Sequence, residues 1–550
     1  MTSSALDLRD RDALFDALAA QTFDVAIIGG GITGAGVARD AALRGLSVAL
    51  VEARDFASGT SSRSSKMIHG GLRYLAQGDL ALVREAASER KVVQSIAPYL
   101  AVETPFVIPA RSPGAIARLR AGLWTFEKLG GVPKSRAHQV WSAAELAERE
   151  PAMDVSGLAG AVVYPEYLTN DARLTLANVR SAAAAGALVV NYAEVCSVIL
   201  EGARAVAVEV ADRTQGGATR RARLSARVIV NAAGPWVDGV RAMESAGASP
   251  RLALARGIHL VIPQARAAVE RTLIVPAGGG RSIFIVPKGQ ATYIGTTDTF
   301  YPTAEVWPPI TGEDADYLLT AANARLAGPP IERSDVTAAW SGVRPLVSEP
   351  GKGAEETSRR DEMWTGPGGI LSIAGGKLTA YRRMAERVTD KVEAALGRAR
   401  TRSATARLPL VGGETAPEAV RAQLVGRGLD PVAAERLLGL YGAEAPGLTA
   451  GPAAEAAHAV VNEGALTLED YWVRRSARAW FDPDGGMAAL APAAAAMAPL
   501  LDWSTERVAG EIAHCRSRRA SDLAGLTPRG EMAVAAPAPG QRVRVNKLKH

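Results

Sequence analysis

Three glycines near the start of the chain have the spacing of a phosphate-binding turn. Gly29, Gly31 and Gly34 follow the pattern G-x-G-x-x-G. In such a turn the first glycine permits a tight bend, the second lets a pyrophosphate approach the backbone, and the third lets a helix pack on a strand. Glu52 follows where a carboxylate would accept a hydrogen bond from a ribose hydroxyl. These residues predict a dinucleotide site, and a glycine-rich turn in an ordinary α/β domain is the alternative.

The elements around these glycines have the pattern of a strand, a helix and a second strand. Residues 25–28 and 48–51 are short apolar runs typical of buried parallel strands. A helical pattern runs between them over about 33–44. The N-terminus of this helix would present unpaired N–H groups and a positive dipole end to the phosphates. The stretch therefore predicts a βαβ unit.

Further glycine turns follow predicted strands at Gly70-Gly71, Gly234 and Gly375-Gly376. Several such turns can surround a long cofactor and contact its phosphates, sugar and ring at different points. The last turn leads into a helical pattern that begins at Lys377 or Leu378. The positive end of that helix would stabilise the negative charge that a reduced flavin carries near N1 and the C2 carbonyl.

Length and composition indicate a globular protein of two or three domains. The chain has 550 residues, and 63 basic against 57 acidic residues give a net charge of +6. This modest charge fits an anionic substrate or an anionic membrane surface, and no nucleic-acid motif is present. Cys196 and Cys515 stand apart, so neither a disulfide nor a metal site is expected. No secretory signal or membrane span is recognised, and a reducing cytoplasm is the expected compartment.

The remaining pattern predicts an antiparallel sheet and a helical C-terminal part. Alternating runs between about 255 and 335 read IHLVIP, RSIFIVP and ATYIGTTDTF. Their period of two favours an antiparallel sheet. Helical patterns cover 79–97, 145–150, 171–185 and much of 415–528, and residues 193–210 alternate as strands.

Six motifs, in order between about residues 23 and 388, carry a family resemblance. They read GGGITGAGVARDAALRGLSVALVE, TSSRSSKMIHGGLRYL, NAAGPWVD, YIGTTDTFY, SGVRPL and GGKLTAYRRMAE. In these motifs the chain resembles the FAD-dependent, quinone-linked glycerol-3-phosphate dehydrogenases of respiration. The resemblance implies an α/β fold with a Rossmann-like FAD-binding domain of the D-amino-acid-oxidase type over 22–400. It also implies interleaved antiparallel substrate-binding parts near 101–160 and 255–335, and an α-helical domain over 405–530. Residues 531–550 would form a disordered basic tail.

The resemblance also implies the reaction and the cofactor. The reaction is oxidation of sn-glycerol 3-phosphate to dihydroxyacetone phosphate, with hydride transfer to FAD and electrons passed to a membrane quinone. The FAD-binding residues that it implies are Gly29, Gly31, Gly34, Glu52, Thr60, Ser61, Ser62, Lys66, Met67, Ala233, Gly234, Gly376, Leu378 and Thr379.

The substrate phosphate is a dianion, which arginine grips with a planar fork and lysine binds as a point charge. The motif matches assign catalytic or phosphate-binding roles to His259, Arg344 and Lys377. Further substrate contacts are implied at His69, Arg73, Tyr74 and Arg359, although the doublet with Arg360 leaves the last assignment open. By residue type alone, His69 and His259 would be read as structural histidines and Arg344 as a surface arginine.

The route of the substrate hydroxyl proton stays open at this point. His259 is the best candidate for the general base that the reaction needs. A neighbouring arginine could instead lower the pKa of the alcohol and leave the proton to water.

Other functions are considered against the same residues. One is a related flavin oxidase of an amino acid, or of another small alcohol or amine, that uses oxygen. Another is a non-enzymatic flavoprotein. The cluster of Arg73, Arg344 and Lys377 argues against the first, and the second would not require the HGGLRY and GVRPL motifs. The basic balance and the tail predict salt-sensitive, peripheral binding to the inner face of the cell membrane. A homodimer is one option that the sequence leaves open, and calcium control is not expected because no EF-hand loop follows the core.

Overall fold

The computed structural model describes residues 5–70, 80–214, 220–348 and 361–526. Two sheets and a set of helices make up this part of the chain. One sheet has a parallel centre and the other is mainly antiparallel, as the hydrophobic patterns of the sequence predict.

The first sheet has eight strands and contains the βαβ unit. Its order is β17-β18-β10-β1-β2-β7, with β9 beside β10 and β8 beside β9. Strands β18, β10, β1, β2 and β7 are mutually parallel, whereas β17, β9 and β8 join them in antiparallel pairs. The bounds are β1 Thr22–Ile28, β2 Val48–Val51, β7 Leu188–Val190, β8 Ala193–Glu201, β9 Arg204–Asp212, β10 Arg221–Asn231, β17 Asp361–Thr365 and β18 Leu371–Gly375.

The second sheet has ten strands and is antiparallel except where β12 pairs with β4. Its order is β15-β11-β14-β13-β12-β4-β6-β3, with β16 beside β11 and β5 beside β6. The bounds are β3 Met67–Ile68, β4 Val102–Ala110, β5 Gln139–Ser142, β6 Gly160–Leu168, β11 Leu252–Pro263, β12 Thr272–Pro276, β13 Ser282–Lys288, β14 Ala291–Gly295, β15 Thr299–Phe300 and β16 Ala338–Val347.

Helices cover the sheets and form the C-terminal part. Those before residue 400 are Arg11–Ala19, Ile32–Leu43, Leu80–Ile96, Pro113–Gly130, Ala143–Arg149, Asp171–Ala184, Val237–Glu244, Gly312–Asn323 and Tyr381–Ala395. Those after it are Pro417–Gly426, Pro431–Tyr441, Pro452–Glu463, Arg478–Phe481, Met487–Met497 and Thr505–Ala524, with a π-helical turn at Asp470–Arg475. Helix Ile32–Leu43 is nearly all buried because it packs between Asp171–Ala184 and Tyr381–Ala395.

Buried ion pairs attach the C-terminal helices to the first sheet. Asp55, just after β2, accepts hydrogen bonds from both Arg474 and Arg475, the latter at 2.7 and 2.8 Å. Burial alone would raise the pKa of Asp55, but the two guanidinium groups lower it. Arg173 binds Glu463 in the same way at 2.6 and 2.7 Å. Breaking such a pair would leave an unpaired buried charge, which is strongly destabilising.

The α/β fold class, the antiparallel second sheet and the helical C-terminal part agree with the sequence predictions. One local prediction was wrong: the helix after Gly376 begins at Tyr381, because a 3₁₀ turn at Leu378–Ala380 comes first. The run over 193–210 forms strands as predicted, in a hairpin of β8 and β9 with a turn at Gly202 (φ +59°). Among the described residues, no helix combines the length and apolar character needed to span a membrane.

Candidate cofactor and substrate site

A cavity of about 590 Å³ lies where the glycine turns meet. Its size is within the range typical of small-molecule sites. The turns after β1, β10 and β18 line it, and these strands are neighbours in the first sheet. The carboxyl ends of parallel strands at a change in strand order are where open α/β sheets bind ligands.

The glycines of the first turn are required by close backbone contacts. Gly29 has φ +108°, and a Cβ there would lie 2.7 Å from the carbonyl oxygen of Ala232. A Cβ at Gly34 would overlap the carbonyl oxygen of Gly29, so this glycine permits helix–strand packing and does not itself line the cavity. Gly31 is the N-cap of helix Ile32–Leu43 and faces the cavity. This geometry fits the pyrophosphate of a dinucleotide.

Glu52 lies on the cavity wall, and its carboxylate closes the turn. It accepts hydrogen bonds from the backbone N–H groups of Gly30 at 2.7 Å and Arg54 at 2.9 Å. Burial raises the pKa of Glu52, and these two bonds oppose the shift. A carboxylate has about four acceptor positions, so the bonds leave capacity for a ribose hydroxyl.

The serine-rich segment after Glu52 divides into a cavity face and a buried face. Thr60, Ser61 and Met67 line the cavity, and Ser61 Oγ accepts from the N–H of Ile32 at 2.9 Å. Ser62 and Lys66 do not line it. Lys66 Nζ instead donates to Asp171 at 2.7 Å and to the carbonyl oxygen of Ser62 at 2.8 Å. Ser62 and Lys66, which were both predicted to contact the cofactor, therefore lie behind the residues that line the cavity.

The third and fourth turns complete the wall. Ala233, Gly234, Gly376, Leu378 and Thr379 all face the cavity, as their motif matches imply. The hydroxyl of Thr379 donates to the carbonyl oxygen of His69 at 3.0 Å and accepts from its N–H at 3.1 Å. The fourth turn thus holds the segment that carries His69. Together the turns line a single cavity, as a cradle for FAD would require.

Two predicted phosphate-binding cations, Arg344 and Lys377, line the same cavity as His69. The Arg344 guanidinium lies across Gly257, where any Cβ would overlap it. It donates to Asp298 and Thr296 at 2.8 Å each and to the carbonyl oxygen of Thr297 at 3.2 Å. These contacts fix the direction of the guanidinium without a ligand.

His259 is buried and does not line the cavity. Its ring stacks on Trp340 with centroids 4.7 Å apart, and its Nε2 lies 2.9 Å from Ser65 Oγ. Burial lowers the pKa of His259 well below 6.5, and the positive charges of Arg344 and Lys66 lower it further. The ring is therefore neutral at neutral pH.

Sequence reasoning missed Asp298 and Ser65, although both lie in motifs that it quoted. Each was a polar residue in a stretch of polar residues, and only the fold gives it a partner. Three predicted substrate residues, Arg73, Tyr74 and Arg359, lie outside the described residues, as does Arg360.

Comparisons with known proteins agree with this geometry. The pattern of the family described as FAD dependent oxidoreductase matches residues 24–382, and that of the C-terminal domain of alpha-glycerophosphate oxidase matches 449–508. The aerobic glycerol-3-phosphate dehydrogenase of Bacillus subtilis is 36% identical over 507 residues, which cover 86% of this chain and 90% of the relative. The enzyme of the same name from Staphylococcus aureus USA300 is 40% identical over 392 residues, or 70% of each chain.

Solved structures have the same fold. The glycerol-3-phosphate dehydrogenase from Bacillus halodurans, complexed with FAD, superposes with a TM-score of 0.78 at 30% identity, covering 96% of this chain and all of that one. The glycine oxidase from Geobacillus kaustophilus, at 24% identity and a TM-score of 0.53, shares the fold over 71% of this chain. The chain is an enzyme with FAD as its cofactor, and it belongs to the FAD-dependent oxidoreductases as a member of the glycerol-3-phosphate dehydrogenase family.

Proposed function

We propose that this enzyme oxidises sn-glycerol 3-phosphate to dihydroxyacetone phosphate and passes the electrons from FAD to a membrane quinone. The main support for the proposal is that Arg344 and Lys377 line the same cavity as the glycine turns. Two cations beside a cofactor cradle suit a small phosphorylated substrate better than a neutral one. The names of the relatives support the same substrate.

Arg344 and Lys377 would hold the phosphate, so that the glycerol carbons would lie toward the flavin. Arginine supplies two parallel N–H donors, whereas lysine supplies a point charge. Asp298 keeps the guanidinium in place, so little side-chain entropy is lost when the phosphate binds. FAD, when bound, accepts a hydride and so supplies the two-electron chemistry. The protein residues must position the alcohol carbon, exclude water and take the hydroxyl proton.

The substrate and acceptor can be tested separately. Glycerol 3-phosphate added without oxygen should bleach the flavin absorbance near ~450 nm, whereas glycine should leave it unchanged. Reoxidation by a soluble quinone analogue should then be much faster than reoxidation by air. Bleaching by glycine alone would favour the amino-acid oxidase, and faster reoxidation by air would contradict the quinone.

We place the enzyme at the cytoplasmic face of the membrane, bound peripherally. Helix Pro113–Gly130 exposes Trp124 (58%) together with Arg118, Arg120 and Lys128. An exposed indole flanked by basic side chains suits an anionic lipid surface. The basic tail, residues 542–550, lies outside the described residues and is a second candidate contact.

Vesicle pelleting tests this attachment. Binding to vesicles with anionic lipid should fall at high salt, and Arg120→Glu should weaken it more than Arg427→Glu, which changes the charge equally on a C-terminal exposed surface. Equal binding by both variants would argue against the helix. Binding that tail deletion alone abolishes would assign the contact to the tail.

A further inference from the structure

The predicted general base, His259, does not line the cavity, but its neighbour Ser65 does. His259 is 1% exposed and stays behind the wall. Ser65 lines the cavity, and its Oγ is 2.9 Å from His259 Nε2. A hydroxyl can accept one proton while it donates another. Ser65 is therefore placed to connect a cavity ligand with the buried imidazole.

The backbone around Ser65 is held from several sides. The carbonyl oxygen of Ser65 accepts from Tyr293 Oη at 3.0 Å, and that of Ser64 accepts from Trp340 Nε1 at 3.3 Å. The hydroxyl of Ser64 donates to Asp171 at 2.7 Å. The same indole that binds this segment also stacks on the His259 ring, so serine and histidine are fixed by a shared support.

The His259 ring is fixed as firmly as the serine. A Cβ at Gly295 would overlap the imidazole, so this glycine admits the ring. Tyr293 packs at its edge with centroids 6.2 Å apart. No hydrogen-bond partner of Nδ1 is found in the described part of the chain. Nε2 is thus the ring atom through which His259 exchanges a proton with the cavity side.

We propose that Ser65 relays the substrate hydroxyl proton to His259, an inference that rests on the proposed function. As the substrate C2–H bond breaks and its electron pair leaves as hydride to FAD, the C2 hydroxyl gives its proton to Ser65 Oγ. Ser65 at the same time gives its own proton to His259 Nε2. The alcohol becomes a ketone and the proton rests on the imidazole, while bound FAD would supply the acceptor for the two electrons of the hydride. In this step Ser65 contacts the substrate, and His259 receives a proton from Ser65 without contacting the substrate itself.

The charges around His259 set the pH dependence of this step. The groups that face the ring are Arg344 on β16, Lys66 beside Ser65, and neutral Tyr293 on β14. Burial and the two cations lower the pKa of His259, so the ring can accept a proton throughout the neutral range. The rate of flavin reduction should therefore be level near neutral pH and fall only in acid, where His259 is already protonated.

Anaerobic stopped-flow reduction by glycerol 3-phosphate tests the relay in the FAD-loaded enzyme. Ser65→Ala and His259→Gln should each slow reduction by about 10²-fold, and the double variant should be no slower than either single one. Ser65→Thr, which keeps a hydroxyl, should recover most of the rate. Ser521→Ala, on the C-terminal helix, is the handling control. The dissociation constant of inorganic phosphate, measured by calorimetry, should stay within about twofold in all variants, which shows that the site is still folded.

Either of two results with the single variants would overturn the relay. One is wild-type reduction by Ser65→Ala, and the other is a slow Ser65→Ala beside an unimpaired His259→Gln. An acid fall in rate that persists in His259→Gln would also contradict it. If glycerol 3-phosphate leaves the wild-type flavin oxidised, the proposed function fails and the relay fails with it. Wild-type reduction with an unimpaired Ser65→Ala contradicts the relay alone.

Discussion

Arg344→Ala should remove phosphate recognition while the enzyme keeps its flavin. The guanidinium lies at the cavity, and its two Nη atoms donate to Asp298, to Thr296 and to the carbonyl oxygen of Thr297 at 2.8 to 3.2 Å. A charge-assisted hydrogen bond is worth roughly 1.5–3 kcal/mol. Its loss lowers kcat/KM by about ten- to 150-fold.

Because of Asp298, we expect the loss of kcat/KM to lie near the upper end of this range. Without Arg344, Asp298 loses the guanidinium contact at 2.8 Å, and its negative charge is expected to repel the substrate phosphate. Two like charges ~6 Å apart at an effective dielectric constant of ~20 interact by roughly 3 kcal/mol. The double variant Arg344→Ala/Asp298→Ala should therefore recover part of the activity that Arg344→Ala loses.

The assay compares kcat/KM for glycerol 3-phosphate with that for glycerol. Arg344→Ala should depress the first strongly and leave the second nearly unchanged, because glycerol has no phosphate. Arg256→Ala is the matched control, since Arg256 lies on neighbouring β11, pairs with Asp314 and does not line the cavity. If Arg344→Ala lowers both values by the same factor, Arg344 serves the chemistry or the fold and the reasoning is refuted.

Three further predictions concern the packing of Arg344 on Gly257, the buried Glu463 carboxylate and the attachment of the flavin. Gly257→Ala should raise KM for glycerol 3-phosphate about tenfold or more, because the new Cβ displaces the Arg344 guanidinium; Gly426→Ala, in open space, should not, and an unchanged KM in Gly257→Ala would contradict the packing. Burial would raise the pKa of Glu463, but Arg173 and neighbouring cations lower it from 4.5 to about 2. Its stabilisation of roughly 3 kcal/mol should therefore be present above pH ~4.5 and lost as pH falls toward ~2; unfolding titrations of wild type and Glu463→Gln with the same acid slope would exclude it. Acid precipitation should release all the flavin, and yellow colour left in the pellet would indicate a covalent bond.

The cofactor half of the site could be predicted from the sequence because its physics is local. Gly34 is constrained by a contact within one short, continuous βαβ unit, whereas Gly29 is constrained by its own positive φ and by the backbone of Ala232 and Ala233 after β10. The turn at Gly234 follows a buried strand and could be recognised in the same way. The predicted start of the last helix was wrong by a few residues, because a 3₁₀ turn and a helix have similar patterns in the sequence. The roles given to the site residues remain predictions.

The substrate half depends on contacts between residues far apart in the chain. The motif match implied that Lys66 contacts the cofactor, but Asp171, more than a hundred residues later, binds its ammonium group in the interior. His259 was read as facing the substrate, but its ring stacks on Trp340 behind the cavity wall, with Nε2 2.9 Å from Ser65 Oγ. In both cases the motif match did not reveal that the side chain lies behind the residues that line the cavity. The partner that the fold supplies decides whether a polar side chain meets the ligand or supports one that does. For Lys66 that partner is Asp171, and for His259 the partners are Trp340 and Ser65.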